Sequence, residues 1–320
     1  MAGFLTDQRV LLTGGSGFLG RAVLRKLEAA ESGLLAAPGS EEYDLRRPED
    51  TIRLFDDVDP DLVIHLAARV GGIGANRERP ADLYLDNLLM GTYVLDEARR
   101  RSTAKTVMIG TICSYPKFAE VPFSEDQLWT GYPEETNAPY GIAKLAQLAQ
   151  AQANREQYGQ NVIYLMPTNL YGPGDKFNPA VSHVIPALIK KAVDAKEAGD
   201  DEIVVWGTGN ASREFLYVDD AAEGILQAAE RYDGAEPANL GADEETWIRD
   251  LVPLIAEVVG FEGRITWDAT KPDGQPRRRV DPTRAATEFG FKASTPLRKG
   301  LQATVDWYLA NREEAEAREL

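Results

Sequence analysis

The sequence predicts an α/β protein, a doubly wound parallel sheet with helices on both faces followed by a smaller C-terminal lobe. Three observations lead there. Apolar, strand-like runs alternate with helical stretches through the first half of the chain, the pattern of parallel strands joined by crossover helices. The first of these strands runs straight into glycines that open a helix: "RVLLTGGSGFLG" is followed by "RAVLRKLEAA" at helical period. The length of 320 residues exceeds the usual single core, so one large domain with a substantial lobe, or two domains, is expected.

After the opening strand, turn and helix, buried strands are expected at "LVIHLAA" (62–68), "TVMIGTI" (106–112) and "NVIYLMPT" (161–168). Helices are expected near 81–100 and 139–157 between them. Beyond "NLYGPGDKF" the alternation loosens into a helix near 183–197, "EIVVWG", "REFLYVDDAAEGILQAAERY", a basic and proline-bearing "KPDGQPRRRVD", and a final helix from about 296. The expected division is therefore 1–172 for the sheet domain, with 213–240 returning to it, and 173–320 for most of the lobe. The acidic tail "NREEAEAREL" reads as a solvated helix end, and no internal repeat is visible.

A net charge of −16 excludes non-specific nucleic-acid binding, because a phosphate backbone would be repelled over most of the surface. Any phosphate-bearing ligand then needs a local basic pocket. One cysteine rules out an internal disulfide framework, and two histidines with one cysteine leave no material for a dedicated metal site. "MAGFLTDQRV" lacks the apolar core of a signal peptide and no run reaches bilayer length, so a cytoplasmic protein without membrane contact is expected.

Gly14, Gly17 and Gly20 in TGGSGFLG let the backbone approach a pyrophosphate, while the following helix offers it unpaired N–H groups and a positive dipole end. Asp44, after the second strand, is placed to meet an adenine, and Leu66 and Ala67 follow another strand where a dinucleotide would pass. In "NAPYGIAK", Tyr140 and Lys144 stand four apart and share one helix face. An ammonium there is expected to lower the phenol pKa and make the pair an acid/base device for a carbonyl or alcohol. Thr111 at a strand end adds a hydroxyl, and His65, inside an apolar run, is assigned to packing.

With these residues the sequence resembles the extended short-chain dehydrogenase/reductase family, whose TGxxGxxG turn, Ser/Thr and YxxxK match Gly14, Gly17, Gly20, Thr111, Tyr140 and Lys144. The resemblance implies a Rossmann fold and hydride transfer to or from a nicotinamide. "AARVGGIGAN", "CSYPK", "PTNLYGPGDKF", "SHVIPALIKK", "VVWGTG" and "REFLYVDD" narrow it to the GDP-L-fucose synthase family. That family epimerises C3 and C5 of GDP-4-keto-6-deoxy-D-mannose and then reduces C4 with NADPH. The implied catalytic residues are Thr111, Tyr140 and Lys144 for reduction, with Cys113 and His183 as the acid/base pair of epimerisation. The implied cofactor site comprises Gly14, Gly17, Phe18, Leu19, Gly20, Asp44, Leu66, Ala67, Tyr140, Lys144, Pro167, Asn169, Leu170 and His183. Asn169, Lys191, Trp206, Arg213, Lys271 and Arg277 are the candidates for holding the GDP-sugar, the arginines by bidentate contact and the tryptophan by its ring. A homodimer through the helices near 81–100 and 139–157 is implied as well, and no metal.

Thr111 and Cys113 are two apart, so along a strand end both side chains would face one pocket. Several positions depart from the family pattern. Ile112 replaces a small polar residue and Ser114 an apolar one, which implies a reshaped pocket and keeps a heptose analogue of the sugar open. Ser16 stands where some relatives carry arginine, and no arginine follows the second strand until Arg46, so the NADP(H) preference rests on the resemblance. No acidic residue at that strand end enforces NAD(H), which also stays open. Three other readings remain: an epimerase with tightly held NAD and no net redox, a GDP-4-keto-6-deoxyheptose reductase, and a non-catalytic dinucleotide sensor on the same fold.

Overall fold

In the computed structural model, which describes residues 2–30, 33–179, 181–271 and 273–317, the chain alternates strand and helix as far as β5. The order is α1 (Ala2–Leu5), β1 (Arg9–Thr13), α2 (Phe18–Ala29), β2 (Leu34–Ala36), α3 (Pro48–Val58), β3 (Leu62–His65), α4 (Ile73–Glu78), α5 (Pro80–Arg100), β4 (Lys105–Ile109), α6 (Ala138–Tyr158) and β5 (Val162–Pro167). The second half adds β6 (Asn169–Tyr171), α7 (Val184–Ala198), β7 (Glu202–Trp206), β8 (Ser212–Tyr217), α8 (Val218–Arg231), β9 (Ala238–Leu240) and β10 (Glu245–Trp247). It closes with α9 (Ile248–Val259), β11 (Arg264–Asp268), β12 (Arg277–Arg278), α10 (Thr283–Glu288), α11 (Leu297–Ala310) and α12 (Arg312–Ala317).

The main sheet has the order β2-β1-β3-β4-β5-β9, every neighbouring pair parallel. Strands β3, β4 and β5 are buried along their whole length, which explains why they read as continuous rather than alternating apolar runs. Val10, Leu12, Leu62 and Ile64 pack with α2 and α8 on one face, while Leu11 and Val63 pack with α3 and α5 on the other. The lobe has a separate core in which α7, α9 and α11 bring Ile189, Ile255 and Leu301 together with Phe177 and Tyr308.

Two boundaries differ from the sequence reading in a way that matters for the site. Strand β3 stops at His65 and β4 at Ile109, because each chain turns as it leaves the sheet edge. Residues 112–114 form a 3-10 turn, so Thr111 and Cys113 do not lie on a pleated strand. The acidic tail also differs from a merely solvated helix end. Ala315 is buried, Glu316 accepts from Tyr308 and pairs with Lys190 and Arg312, and the Ala315 carbonyl accepts from the Phe177 N–H at 3.0 Å. Residues 318–320 of that tail lie outside the described ones.

Candidate active site

The strand order turns back between β1 and β3, and the loops leaving those two strands part to leave a crevice, the place where doubly wound sheets bind ligands. Gly14, directly after β1, has φ of +74°, and a Cβ there would lie 2.6 Å from the Ala67 nitrogen in the loop after β3. A Cβ on Gly20 would lie 2.0 Å from the Gly14 carbonyl oxygen, so glycine at 20 is what lets α2 sit on the turn. Gly17 caps α2 and is exposed, leaving the helix N-terminus accessible to an anion. The resulting cleft of about 540 Å³ is within the usual range for ligand sites, about 300–1,000 Å³. Thr13, Gly14, Gly17, Phe18, Asp44, Leu66 and Ala67 line it, together with Arg21, Arg46, Arg69 and Lys176. A glycine cradle, a helix N-terminus and four cations in a chain of net charge −16 suit a dinucleotide phosphate.

Not every expected cofactor residue presents its side chain there. Leu19 and Leu170 pack against the sheet core. Asn169 donates its Nδ2 to the Glu214 carbonyl at 2.9 Å, beside Pro167 at the end of β5. The Asp44 carboxylate is gripped on both oxygens by Arg46, at 2.8 Å each, which holds its pKa below the usual range and occupies the group expected to meet an adenine.

The candidate catalytic residues gather where the turn after β4 meets the start of α6. Thr111 caps the 3-10 turn, its Oγ1 accepting from the Cys113 N–H at 3.2 Å, so a side-chain cap rather than a strand pleat brings the two residues together. Thr111 also hydrogen-bonds Tyr140, and Cys113 is close enough to raise the phenol pKa electrostatically. Burial is the larger cause of that rise, so Tyr140 is held as a phenol, opposite to the lowering expected from Lys144. Lys144 responds instead: burial lowers its pKa from 10.5 to about 8. His183 caps the N-terminus of α7 in the lobe. A Cβ at Gly72, in the loop that continues from the cleft-lining residues, would lie 3.1 Å from the Ser182 carbonyl oxygen, so that loop packs beside the residue preceding His183. His183 is exposed at the surface, with protein packed around it. Desolvation by that packing and the Lys176 charge lower its pKa, favouring the neutral imidazole.

Ile112 and Ser114, the two departures from the family pattern beside Cys113, are both packed into the protein. Ile112 is buried in the cluster beneath α6 with Tyr115 and Leu145. Ser114 is 1% exposed and donates its Oγ to the Gly141 carbonyl at 3.0 Å. Both side chains face the protein interior. His65 is packed as expected, but also bonded: its Nδ1 lies 2.8 Å from Thr13 Oγ1, and burial together with the Lys144 charge lowers its pKa to about 3.

In the lobe, Trp206 projects from β7 with 68% of its surface exposed, and Lys271 Nζ lies 5.5 Å from the centre of its ring. Lys191 Nζ donates to the Val204 carbonyl on the same strand. Arg213 donates to the Ser212 and Gln275 carbonyls, both at 2.7 Å, and burial and the neighbouring Arg278 charge lower its pKa to about 10. Arg277 is held by Glu245 at 2.6 Å, which occupies the fork expected to take a diphosphate. Sequence reasoning missed Arg21, Arg69 and Lys176 in the cleft. Arg21 follows the third glycine directly and Lys176 lies inside "GPGDKF", so position relative to the motifs was the available signal.

Residues 10–241, from β1 through β9, match the NAD dependent epimerase/dehydratase family. The chain belongs to that family. Within it, GDP-L-fucose synthase 1 of Arabidopsis thaliana is 44% identical over 303 residues, covering 95% of this chain and 94% of the relative. A GDP-L-fucose synthetase from Naegleria fowleri, solved bound to NADP, superposes with a TM-score of 0.88 at 30% identity, covering 97% of each chain. A GDP-6-OMe-4-keto-L-xylo-heptose reductase from C. jejuni superposes equally well at 0.88, but at 23% identity it shares the fold alone. Among the described residues no helix is long and apolar enough to cross a membrane, and no cluster of metal-ligating side chains occurs.

Proposed function

We propose that this protein converts GDP-4-keto-6-deoxy-D-mannose to GDP-L-fucose, epimerising C3 and C5 and then reducing C4, with NADP(H) as cofactor. The observation that carries this reading is the grouping of Thr111, Cys113 and Tyr140 at one end of α6 beside a dinucleotide cleft, in a chain 44% identical to a GDP-L-fucose synthase.

A ketone at C4 acidifies the hydrogens at C3 and C5 on either side of it. Cys113 and His183 are the two groups that remove a proton from one face and return one to the other. A histidine favoured as neutral imidazole is able to accept such a proton. The buried phenol of Tyr140, hydrogen-bonded to Thr111, donates to the C4 oxygen and steadies the enolate. NADPH, when bound, supplies hydride to C4. Tyr140 then gives its proton to the C4 oxygen, and a phenol held protonated is suited to that. The Lys144 ammonium, four residues on, steadies the phenolate left behind.

The division of labour follows the two cores. The cofactor belongs to residues 1–172, against whose sheet α8 and β9 of 213–240 pack, with Lys176 reaching the cleft from the lobe; most of the GDP-sugar contacts come from 173–320, through Trp206, Lys271, Lys191 and Arg213, the last on β8 outside the main sheet. The exposed Tyr84 and Leu85 on α5 support a homodimer through α5 and α6. The cytoplasm is the compartment where this chemistry would run. The deciding experiment incubates purified protein with GDP-4-keto-6-deoxy-D-mannose and either NADPH or NADH. Consumption of NADPH with formation of GDP-L-fucose is expected, and no turnover with either nicotinamide would overturn the reading.

A further inference from the structure

The cations of the cofactor cleft are not equivalent. Arg46 is bonded to Asp44 and pairs with Asp86, and Arg69 pairs with the same Asp86 at 2.7 Å. That side of the cleft is close to charge-balanced. Arg21 differs. It lies in the second turn of α2, and its Nε donates back to the Ser16 carbonyl at the tip of the glycine turn, at 2.9 Å. Its Nη1 pairs with Glu314 of α12 at 2.8 Å, a carboxylate that is not among the cleft-lining residues. Its Nη2 has no protein partner among the described residues, and the side chain is 41% exposed. A guanidinium fixed on two of its edges, with a third edge open in a cleft, is prearranged for an oxyanion.

The glycine turn itself brings no cation, since the position before Gly17 is Ser16. The strand end of β2 brings none either, because Ala36, Ala37, Pro38, Gly39 and Ser40 follow one another there. The one acid lining the cleft, Asp44, is neutralised by Arg46 and so offers a 2'-hydroxyl no free carboxylate. Arg21 is therefore the cation nearest the turn, and Lys176 faces the same cleft from the lobe.

We propose that Arg21 is the residue with which this chain grips a phosphate group of its dinucleotide, and that Glu314 of the C-terminal helix holds it in position to do so. The inference rests on the NADP(H) reading above and deepens it. The phosphate is either the 2'-phosphate or the pyrophosphate, which share this chemistry.

The test measures binding of NADP+ and NAD+ to the full-length protein by calorimetry, without turnover. Arg21→Ala is expected to weaken NADP+ by about tenfold or more, and Arg21→Lys, which keeps charge but loses the fork, by less. Loss confined to NADP+ identifies the 2'-phosphate, and equal loss for NAD+ identifies the pyrophosphate; either supports the proposal. Glu314→Ala is expected to weaken NADP+ by a smaller factor, with no further loss when added to Arg21→Ala. Strictly additive losses would remove Glu314 from its positioning role. Circular dichroism on each variant checks that α2 is intact, with Arg21→Lys as the conservative control. If Arg21→Ala binds NADP+ within about twofold of the unaltered protein, the inference fails and the function stands. If the unaltered protein binds neither dinucleotide, the function fails first.

Discussion

Gly141 lies against the back of the cysteine turn: a Cβ at that position would come within 2.5 Å of the Cys113 carbonyl oxygen. The same residue's carbonyl receives the Ser114 hydroxyl. The helix carrying Tyr140 and the turn carrying Cys113 are thus fixed to each other by one close approach and one hydrogen bond. Gly141→Ala is expected to push the two apart, costing about 1–3 kcal/mol of stability and slowing both epimerisation and reduction. Chemical denaturation and separate assays of the two half-reactions check this. Wild-type rates in a stably folded variant would show that the spacing does not matter.

Cys113→Ser should separate the two chemistries. The backbone N–H at 113 that Thr111 receives is unaffected, so reduction of an already epimerised ketone is expected to persist. Exchange of the C3 and C5 hydrogens with solvent deuterium is expected to slow by about 10²-fold or more. NMR of the sugar protons reads it directly, and undiminished exchange would return the thiol to a packing role.

Lys144 links activity to stability with a definite sign. Its pKa falls from 10.5 to about 8 on folding, so between those values the unfolded chain holds a proton that the folded one does not, and stability rises with pH across that window. At neutral pH the buried ammonium costs about 3 kcal/mol. Lys144→Met is expected to be more stable than the unaltered protein at pH 7, to lose the rise in stability above pH 8, and to lose reduction. The unaltered enzyme's C4 reduction should decline as pH passes about 8. Denaturation curves and a pH–rate profile supply both measurements.

His65 acts in the opposite range. Its pKa falls from 6.5 to about 3, so the unfolded chain gains a proton first as acid is added, and stability drains as pH falls below 6.5. His65→Asn keeps a polar partner for Thr13 while removing that titration. Its acid-unfolding midpoint should move to lower pH, and an unchanged midpoint would assign acid sensitivity elsewhere.

Trp206 is far more exposed than a core aromatic of its size, and Lys271 sits over its ring. Trp206→Ala is expected to raise KM for the GDP-sugar by about tenfold with kcat nearly unchanged, the signature of uniform binding lost away from the reacting carbons. A fall in kcat at constant KM would argue that the ring acts on the chemistry.

Much of this was legible in the sequence because local pattern and global fold agree. The buried strands, α5, α6 and the glycine turn are each stated by a few neighbouring residues. What was not legible depends on contacts between distant segments. The strand-pleat argument for Thr111 and Cys113 failed because β4 ends at Ile109, and a Thr side-chain cap supplies the same outcome by another geometry. The expected lowering of the Tyr140 pKa failed because burial outweighs a single nearby charge, and no spacing of residues reports burial. The occupation of Arg277 by Glu245 and of Asp44 by Arg46 needed the folded chain, since one pair lies 32 residues apart and the other is local but indistinguishable from free charges.

Cys113 is the chain's single thiol, and it is partly open to solvent at the centre of the candidate active site. A thiol-directed reagent therefore labels this protein at one place only. Its uptake counts competent active sites in a preparation, and protection by a bound GDP-sugar reports occupancy without any turnover. A fluorophore attached there would report ligand entry from within the pocket itself.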